Sequence, residues 1–124
     1  MRNNIIFIAI GGLLGSVARY LSVVYISKLI PSQFPYGTFA VNILGCLVIG
    51  FIYGLSLRYL WFTPEWRLFL ATGFCGGFTT FSAFALENMQ LIQQANYGAF
   101  ALYSITSFTF GLAAVFLGAF LTRI

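Results

Sequence analysis

The sequence predicts an all-α integral membrane protein with four transmembrane helices, the third of which is broken. Three observations support this prediction. The 124 residues are 60% hydrophobic and only 6% charged, and the mean hydropathy is +0.95, which is too apolar for a soluble domain. Four apolar segments are each long enough to cross a bilayer core, which needs about 20 helical residues. A run rich in glycine and hydroxyl groups interrupts the third segment.

The four segments form a single domain, residues 1–124, and are separated by short polar breaks. The spans cover about residues 4–28, 36–58, 66–93 and 97–122. Proline, glycine, glutamine and asparagine mark the connections, and such short loops make neighbouring helices antiparallel. The first segment is too long for a signal peptide and contains Arg19, so we expect it to be a span.

The six cations give a formal net charge of +4, but they are scattered singly along the chain. Nucleic-acid binding needs a clustered basic patch, so we expect no nucleic-acid partner and a lipid bilayer instead. If both termini lie on one side, four of the cations share that side, which weakly favours cytoplasmic termini. This weak bias also permits insertion in both orientations. We expect a multi-pass protein of the cell membrane (plasma or inner membrane).

The side chains argue against an enzyme. The chain has no histidine, and its only acids are Glu65 and Glu87, so neither a Ser/His/Asp set nor a carboxylate pair can be assembled. Cys46 and Cys75 lie in apolar segments and are not spaced like metal ligands. They are expected to be small buried thiols.

The interruption of the third span is the expected functional region. Residues 73–84 read Gly-Phe-Cys-Gly-Gly-Phe-Thr-Thr-Phe-Ser-Ala-Phe. Non-helical backbone at membrane depth persists only where protein buries it or where it lines a polar path. Hydroxyl groups can bind an ion, phenyl edges can meet an anion, and unwound carbonyls can coordinate a cation. The side chains concerned are Thr79, Thr80 and Ser82 for the hydroxyls, and Phe81 and Phe84 for the rings.

Asn42 is the most informative polar residue of the second span. It shares a helical face with Thr38 and Gly45. Its amide can tie two helices together or present its NH2 group to a permeating anion. The neighbouring break in the third span favours the second interpretation.

Two charged residues, Arg19 and Glu87, lie well away from the ends of the predicted spans. Arg19 is expected to reach the headgroups, and the alternative is a cation at the mouth of an aqueous vestibule. Glu87 shares a polar face with Gln90 and Gln94, and an intramembrane carboxylate is a candidate functional group.

Small residues at close-packing spacing occur in the first, second and fourth spans. They are Gly11 and Gly15, Gly12 and Ser16, Gly50 and Gly54, and Gly111, Ala114 and Gly118. Each set suits packing within one subunit or across a dimer seam, and the spacing leaves both open. Four helices fill their own centre, so a polar path also predicts oligomerisation.

Three stretches together carry a resemblance to a known family. Residues 11–20 read Gly-Gly-Leu-Leu-Gly-Ser-Val-Ala-Arg-Tyr, residues 37–46 read Gly-Thr-Phe-Ala-Val-Asn-Ile-Leu-Gly-Cys, and residues 73–84 are followed by Glu87. In this order, and in its length and four-span layout, the chain resembles the Fluc (CrcB-type) fluoride channel family. The resemblance covers essentially the whole chain.

The resemblance implies an antiparallel homodimer with two pores, each lined by both subunits. It places Asn42, Phe81 and Phe84 on the fluoride path, and Tyr103 and Ser107 on a polar track in the fourth span. It also implies a structural sodium ion at the dimer centre, held by backbone carbonyls of Gly76 and Thr79. Ser82-Ala83 stands where the family commonly has Ser-Thr, so one hydroxyl is missing. Either Ser82, Thr80 or Tyr103 supplies the ion contact, or the route differs locally and conduction is altered.

The predicted function is therefore passive, fluoride-selective permeation that exports cytoplasmic fluoride and confers fluoride resistance. An alternative is a small proton-coupled multidrug exporter, which needs a membrane-centred carboxylate. Only Glu87 can supply that carboxylate. A purely structural membrane partner is a third possibility, but it leaves the broken span without a purpose.

Overall fold

The computed structural model describes residues 2–123, which are helical apart from short connections and contain no strand. Four helical stretches are long and apolar enough to cross a membrane, which confirms the predicted fold class. The first, second and fourth are single helices: α1 (Arg2–Leu29), α2 (Tyr36–Arg58) and α6 (Tyr97–Leu121). The third is composite: α3 (Pro64–Arg67), a π-helical segment (Leu68–Cys75), α4 (Gly76–Phe78) and α5 (Phe81–Gln93).

The helix boundaries follow local chemistry. The third span begins two residues before the predicted position, because Pro64 takes the first helical position after Thr63. Before α6, Asn96 Oδ1 accepts a hydrogen bond from the Ala99 amide at 3.3 Å, and Asn96 Nδ2 donates to Gln33 Oε1 at 2.8 Å. Asn96 therefore caps α6 and ties its connection to the loop between α1 and α2.

The small residues bring helices together within the subunit. α1 packs on the third span and α2 packs on α6. A Cβ atom added to Gly15 would collide with the backbone of Phe74, and one added to Gly50 would collide with the backbone of Val115. Gly118 faces the backbone of Leu47 and Phe51 in the same way. These glycines therefore serve intramolecular packing.

Few side chains are fully enclosed in the single subunit. The most buried are Val41, Cys75 and Tyr103, whereas large apolar side chains are exposed along every span. Such surfaces suit lipid or a second protein subunit rather than water.

Candidate functional site

The break in the third span lies at Thr79 and Thr80, where the backbone is extended (φ −89°, ψ 158° and φ −153°, ψ 122°). Gly76 and Gly77 belong to the glycine-rich run that was expected to interrupt the span, but they are themselves helical. A Cβ atom on Gly77 would lie 2.6 Å from the carbonyl oxygen of Gly12. Gly77 therefore allows α1 to approach closely. The helix is interrupted at the two threonines, Thr79 and Thr80, and not at the glycines.

Asn42 closes the break from α2. Its Oδ1 accepts from the Thr80 amide at 2.8 Å, and its Nδ2 donates to the Thr80 carbonyl at 3.1 Å. The side-chain amide thus satisfies both backbone polar groups of one extended residue, which would otherwise be costly away from water. One N–H of Asn42 remains for another acceptor, since the NH2 group carries two donors. Helix tying and ion contact are therefore compatible roles.

The carbonyls of Gly76 and Thr79 lose their helical donors at the break. In an unbroken helix the Thr80 amide would bond to the Gly76 carbonyl, but here it donates to Asn42. The Ala83 amide would bond to the Thr79 carbonyl, but it donates to Thr80 Oγ1 at 3.2 Å. The carbonyls of Gly76 and Thr79 are oxygen donors of the type that hard cations prefer, so the residues present fit a sodium site.

Arg19 turns toward the same break. Its Nε donates to the Gly77 carbonyl at 3.0 Å, and the residue is half-buried. A carbonyl freed by the break thus attracts the Arg19 Nε. The expectation that the guanidinium reaches the headgroups stays a prediction. Arg19 places a positive charge next to the extended segment.

One groove collects most of the predicted path residues. It has a volume of about 490 Å³ and opens on the surface of the subunit. Its lining includes seven residues that the sequence analysis assigned to the path or to the sodium site: Asn42, Gly76, Thr79, Thr80, Phe81, Phe84 and Ser107. The predicted path residues of the second, third and fourth spans therefore converge on one surface.

Aromatic rings line the groove and continue behind it. The Phe81 and Phe84 centroids are 5.8 Å apart, and the Phe84 and Tyr103 centroids are 4.9 Å apart. Phe81 is 79% exposed, whereas Tyr103 is completely buried. Tyr103 therefore lies behind Phe84 and does not line the groove in this structure.

Glu87 is the acceptor of a buried polar cluster beyond the rings. Thr38 Oγ1 donates to Glu87 Oε2 at 2.7 Å, and the Tyr103 hydroxyl donates to Glu87 Oε1 at 2.9 Å. The predicted face of α2 is confirmed here, because Thr38 and Asn42 both contact the third span. Tyr103 and Glu87, both predicted from sequence as functional candidates, thus form one hydrogen-bonded unit with Thr38.

The remaining predicted hydroxyls differ in their surroundings. Ser107 Oγ is buried and has no hydrogen-bond partner within residues 2–123, which leaves a donor facing the groove. Ser82 is exposed, and its Oγ lies 3.3 Å from Thr80 Oγ1. Ser82 therefore contacts the break from outside the groove lining.

Several groove residues were not predicted from sequence. They are Gly45, Cys46, Ile49, Ala71, Thr72, Cys75, Ser104 and Phe108. Helical spacing was the available signal: Ser104 lies one turn before Ser107 and Phe108, and Thr72 lies one turn before Gly76. Both cysteines are free thiols that line the groove; Cys75 is buried as expected, whereas Cys46 is only half-buried.

The fold and the groove define a small multi-pass membrane protein whose polar residues converge at a helix break. Residues 6–119 match the family described as CrcB-like protein, Camphor Resistance (CrcB). The chain belongs to this family, which confirms the resemblance seen in the sequence. It is a multi-pass protein of the cell membrane.

Relatives align over nearly the whole chain. A fluoride-specific ion channel FluC of Azobacteroides pseudotrichonymphae is 47% identical, covering 99% of this chain and 98% of the relative. Proteins of the same name from Bacteroides fragilis and Flavobacterium psychrophilum are 50% and 44% identical, covering 95% and 97% of this chain and 94% and 97% of the relatives. The relatives are ion channels, and this family membership confirms that the chain is not an enzyme.

Proposed function

We propose that the chain is a passive, fluoride-selective ion channel that exports cytoplasmic fluoride. The observation that carries the proposal is the groove in which Asn42, Thr80 and Ser107 lie beside the Phe81 and Phe84 rings. The names of the relatives, which are similar over the full chain, support the same substrate.

The chemistry of the groove suits a small, strongly hydrated anion. Amide and hydroxyl donors and the positive edges of phenyl rings can replace water around fluoride. No lysine or arginine is among the groove-lining residues, so an entering anion meets no full charge that would trap it. Arg19, bonded to the Gly77 carbonyl just outside the lining, raises the local anion concentration instead. Larger anions such as chloride are rejected by size and by donor spacing.

The proposed assembly is an antiparallel homodimer with two pores, each completed by the second subunit. An open groove and an exposed Phe81 ring support it, because one subunit alone leaves the path uncovered on one side. Antiparallel assembly requires insertion in both orientations, which the weak charge bias permits.

In this proposal a sodium ion sits at the dimer centre. The Gly76 and Thr79 carbonyls of each subunit would hold it, since both have lost their helical donors. The ion would supply a fixed positive charge that satisfies these oxygens and joins the subunits.

The test of function is efflux from liposomes that contain the purified protein. Fluoride-loaded vesicles are followed with a fluoride electrode, and chloride-loaded vesicles serve as the control for selectivity. The proposal expects rapid fluoride release without chloride release. If folded protein releases neither fluoride nor chloride, the channel proposal is wrong, and the exporter and the structural partner become the favoured hypotheses.

Glu87→Gln separates the channel from the proton-coupled exporter. An exporter loses its only carrier carboxylate, so proton-coupled transport should vanish. A channel should retain fluoride efflux, because Gln keeps one oxygen that accepts from Thr38 or Tyr103. Fluoride efflux from liposomes is measured with and without an imposed pH gradient. The matched control is Glu65→Gln, at the exposed start of the third span.

Replacing sodium by a larger monovalent cation tests the proposed central ion. Carbonyl cages bind by size and field strength, so rubidium should weaken assembly and reduce efflux. Assembly is followed by size-exclusion chromatography with light scattering in sodium and rubidium buffers. Identical dimer fractions and efflux rates in the two buffers would remove sodium from the proposal.

A further inference from the structure

A second cavity lies between the ends of α2 and α6, away from the groove. It has a volume of about 410 Å³, and its lining shares no residue with the groove. The lining residues are Tyr53, Gly54, Leu57 and Arg58 from α2, and Ala119, Thr122 and Arg123 from the end of α6. Because α2 ends at Arg58 and α6 ends at Leu121, this cavity lies at the ends of two candidate membrane spans, where lipid headgroups are expected.

The charge of this cavity is positive. Within residues 2–123, Arg58 and Arg123 are the charged residues of its lining. The two acids of the chain lie elsewhere: Glu65 lines a different cavity, and Glu87 accepts from Thr38 and Tyr103. The described lining therefore brings together two guanidinium groups without an acidic side chain, an arrangement that an anion stabilises.

Hydrogen bonds within the subunit hold the Arg58 guanidinium in place before any ligand binds. Arg58 Nη1 donates to the Thr122 carbonyl, and Thr122 Oγ1 donates to the Ala119 carbonyl at 2.6 Å. Arg58 is thus held across the α2–α6 contact, next to Arg123, and its remaining N–H groups stay available, since a guanidinium has five donors. Gly54 leaves room beside Thr122, where a side chain would collide. Planar guanidinium forks match phosphate oxygens.

We propose that this cavity binds the phosphate group of an anionic phospholipid, with an acyl chain along α2. The apolar wall supports a lipid over free phosphate, because Tyr53 and Leu57 are 59% and 67% exposed next to the charges. A phosphatidylglycerol headgroup carries one negative charge and no ammonium, whereas the ammonium of phosphatidylcholine would be repelled by two arginines. The proposal does not depend on which ion the protein conducts.

The test uses purified protein in detergent, with native mass spectrometry to count bound lipids. Dioctanoyl phosphatidylglycerol, dioctanoyl phosphatidylcholine and inorganic phosphate are titrated separately. We expect phosphatidylglycerol to bind at least about tenfold more tightly than phosphatidylcholine, and Arg58→Gln/Arg123→Gln to remove about that factor, as loss of charge-assisted hydrogen bonds predicts. Arg67→Gln, an exposed cation of α3 outside this cavity, is the matched control and should bind like the wild type.

Each outcome bears on the proposal. Competition by inorganic phosphate at equal affinity would show that the site recognises phosphate alone and would overturn the lipid assignment. Equal phosphatidylglycerol binding by the wild type and the double variant would overturn the site itself. If Arg58→Gln fails to fold, because it loses the bond to Thr122, Arg123→Gln alone still tests the site. That single variant should weaken phosphatidylglycerol binding, and unchanged binding would count against the proposal.

Discussion

Asn42→Asp should reduce fluoride efflux by about two orders of magnitude. The substitution places a negative charge beside the Phe81 and Phe84 rings, where the anion is proposed to pass. Two unit charges about 6 Å apart at an effective dielectric constant of about 20 repel by roughly 3 kcal/mol, or about 100-fold in rate. The carboxylate also loses the donor to the Thr80 carbonyl. Initial efflux rates from liposomes measure the effect.

Two further variants isolate the charge from the broken hydrogen bonds. Asn42→Ala removes both bonds to Thr80 without adding charge, so it should slow efflux less than Asn42→Asp does. Asn3→Asp makes the same chemical change at an exposed position of α1 and should leave efflux unchanged. Equal efflux from Asn42→Asp and the wild type would falsify the assignment of Asn42 to the path.

The four spans were predictable because their signal is one of composition. A bilayer requires long apolar helices, so each apolar segment of about 20 residues or more predicts one span. The position of the break was predictable only as a region, because both glycine and hydroxyl residues can interrupt a membrane helix. In the structure, α1 packs closely against Gly73 and Gly77, and both glycines are helical. The extended backbone lies at Thr79 and Thr80 instead.

The candidate site was partly predictable for a related reason. Asn42, Phe81 and Phe84 stand out as residues of special chemistry near a break, and the family resemblance supplied Ser107. The partners of these residues depend on which faces of separate helices meet, which no local pattern specifies. The turn of Arg19 to the Gly77 carbonyl and the Thr38–Glu87–Tyr103 cluster are therefore findings of the structure.

Gly50→Ala should destabilise the protein, because the added methyl group would collide with the backbone of α6. The added Cβ would lie 2.8 Å from the carbonyl carbon of Val115, and a backbone carbonyl in α6 cannot rotate away. The α2–α6 contact must open, and overpacking of this kind costs about 1–3 kcal/mol. We expect a lower thermal unfolding temperature in detergent and a smaller folded fraction after purification.

The matched control is Gly98→Ala, which makes the same substitution in a helix where no atom lies within 4 Å of the new Cβ. Alanine is favoured over glycine in a helix by up to about 1 kcal/mol, so this variant should be neutral or slightly more stable. Gly118→Ala tests the same seam from α6, where the added Cβ would lie 2.7 Å from the Phe51 amide nitrogen. If Gly50→Ala and Gly118→Ala both unfold at the temperature of Gly98→Ala, α2 and α6 do not pack as closely as described. A loss shared by the two seam variants and absent from Gly98→Ala would establish that backbone contact between α2 and α6 stabilises the subunit.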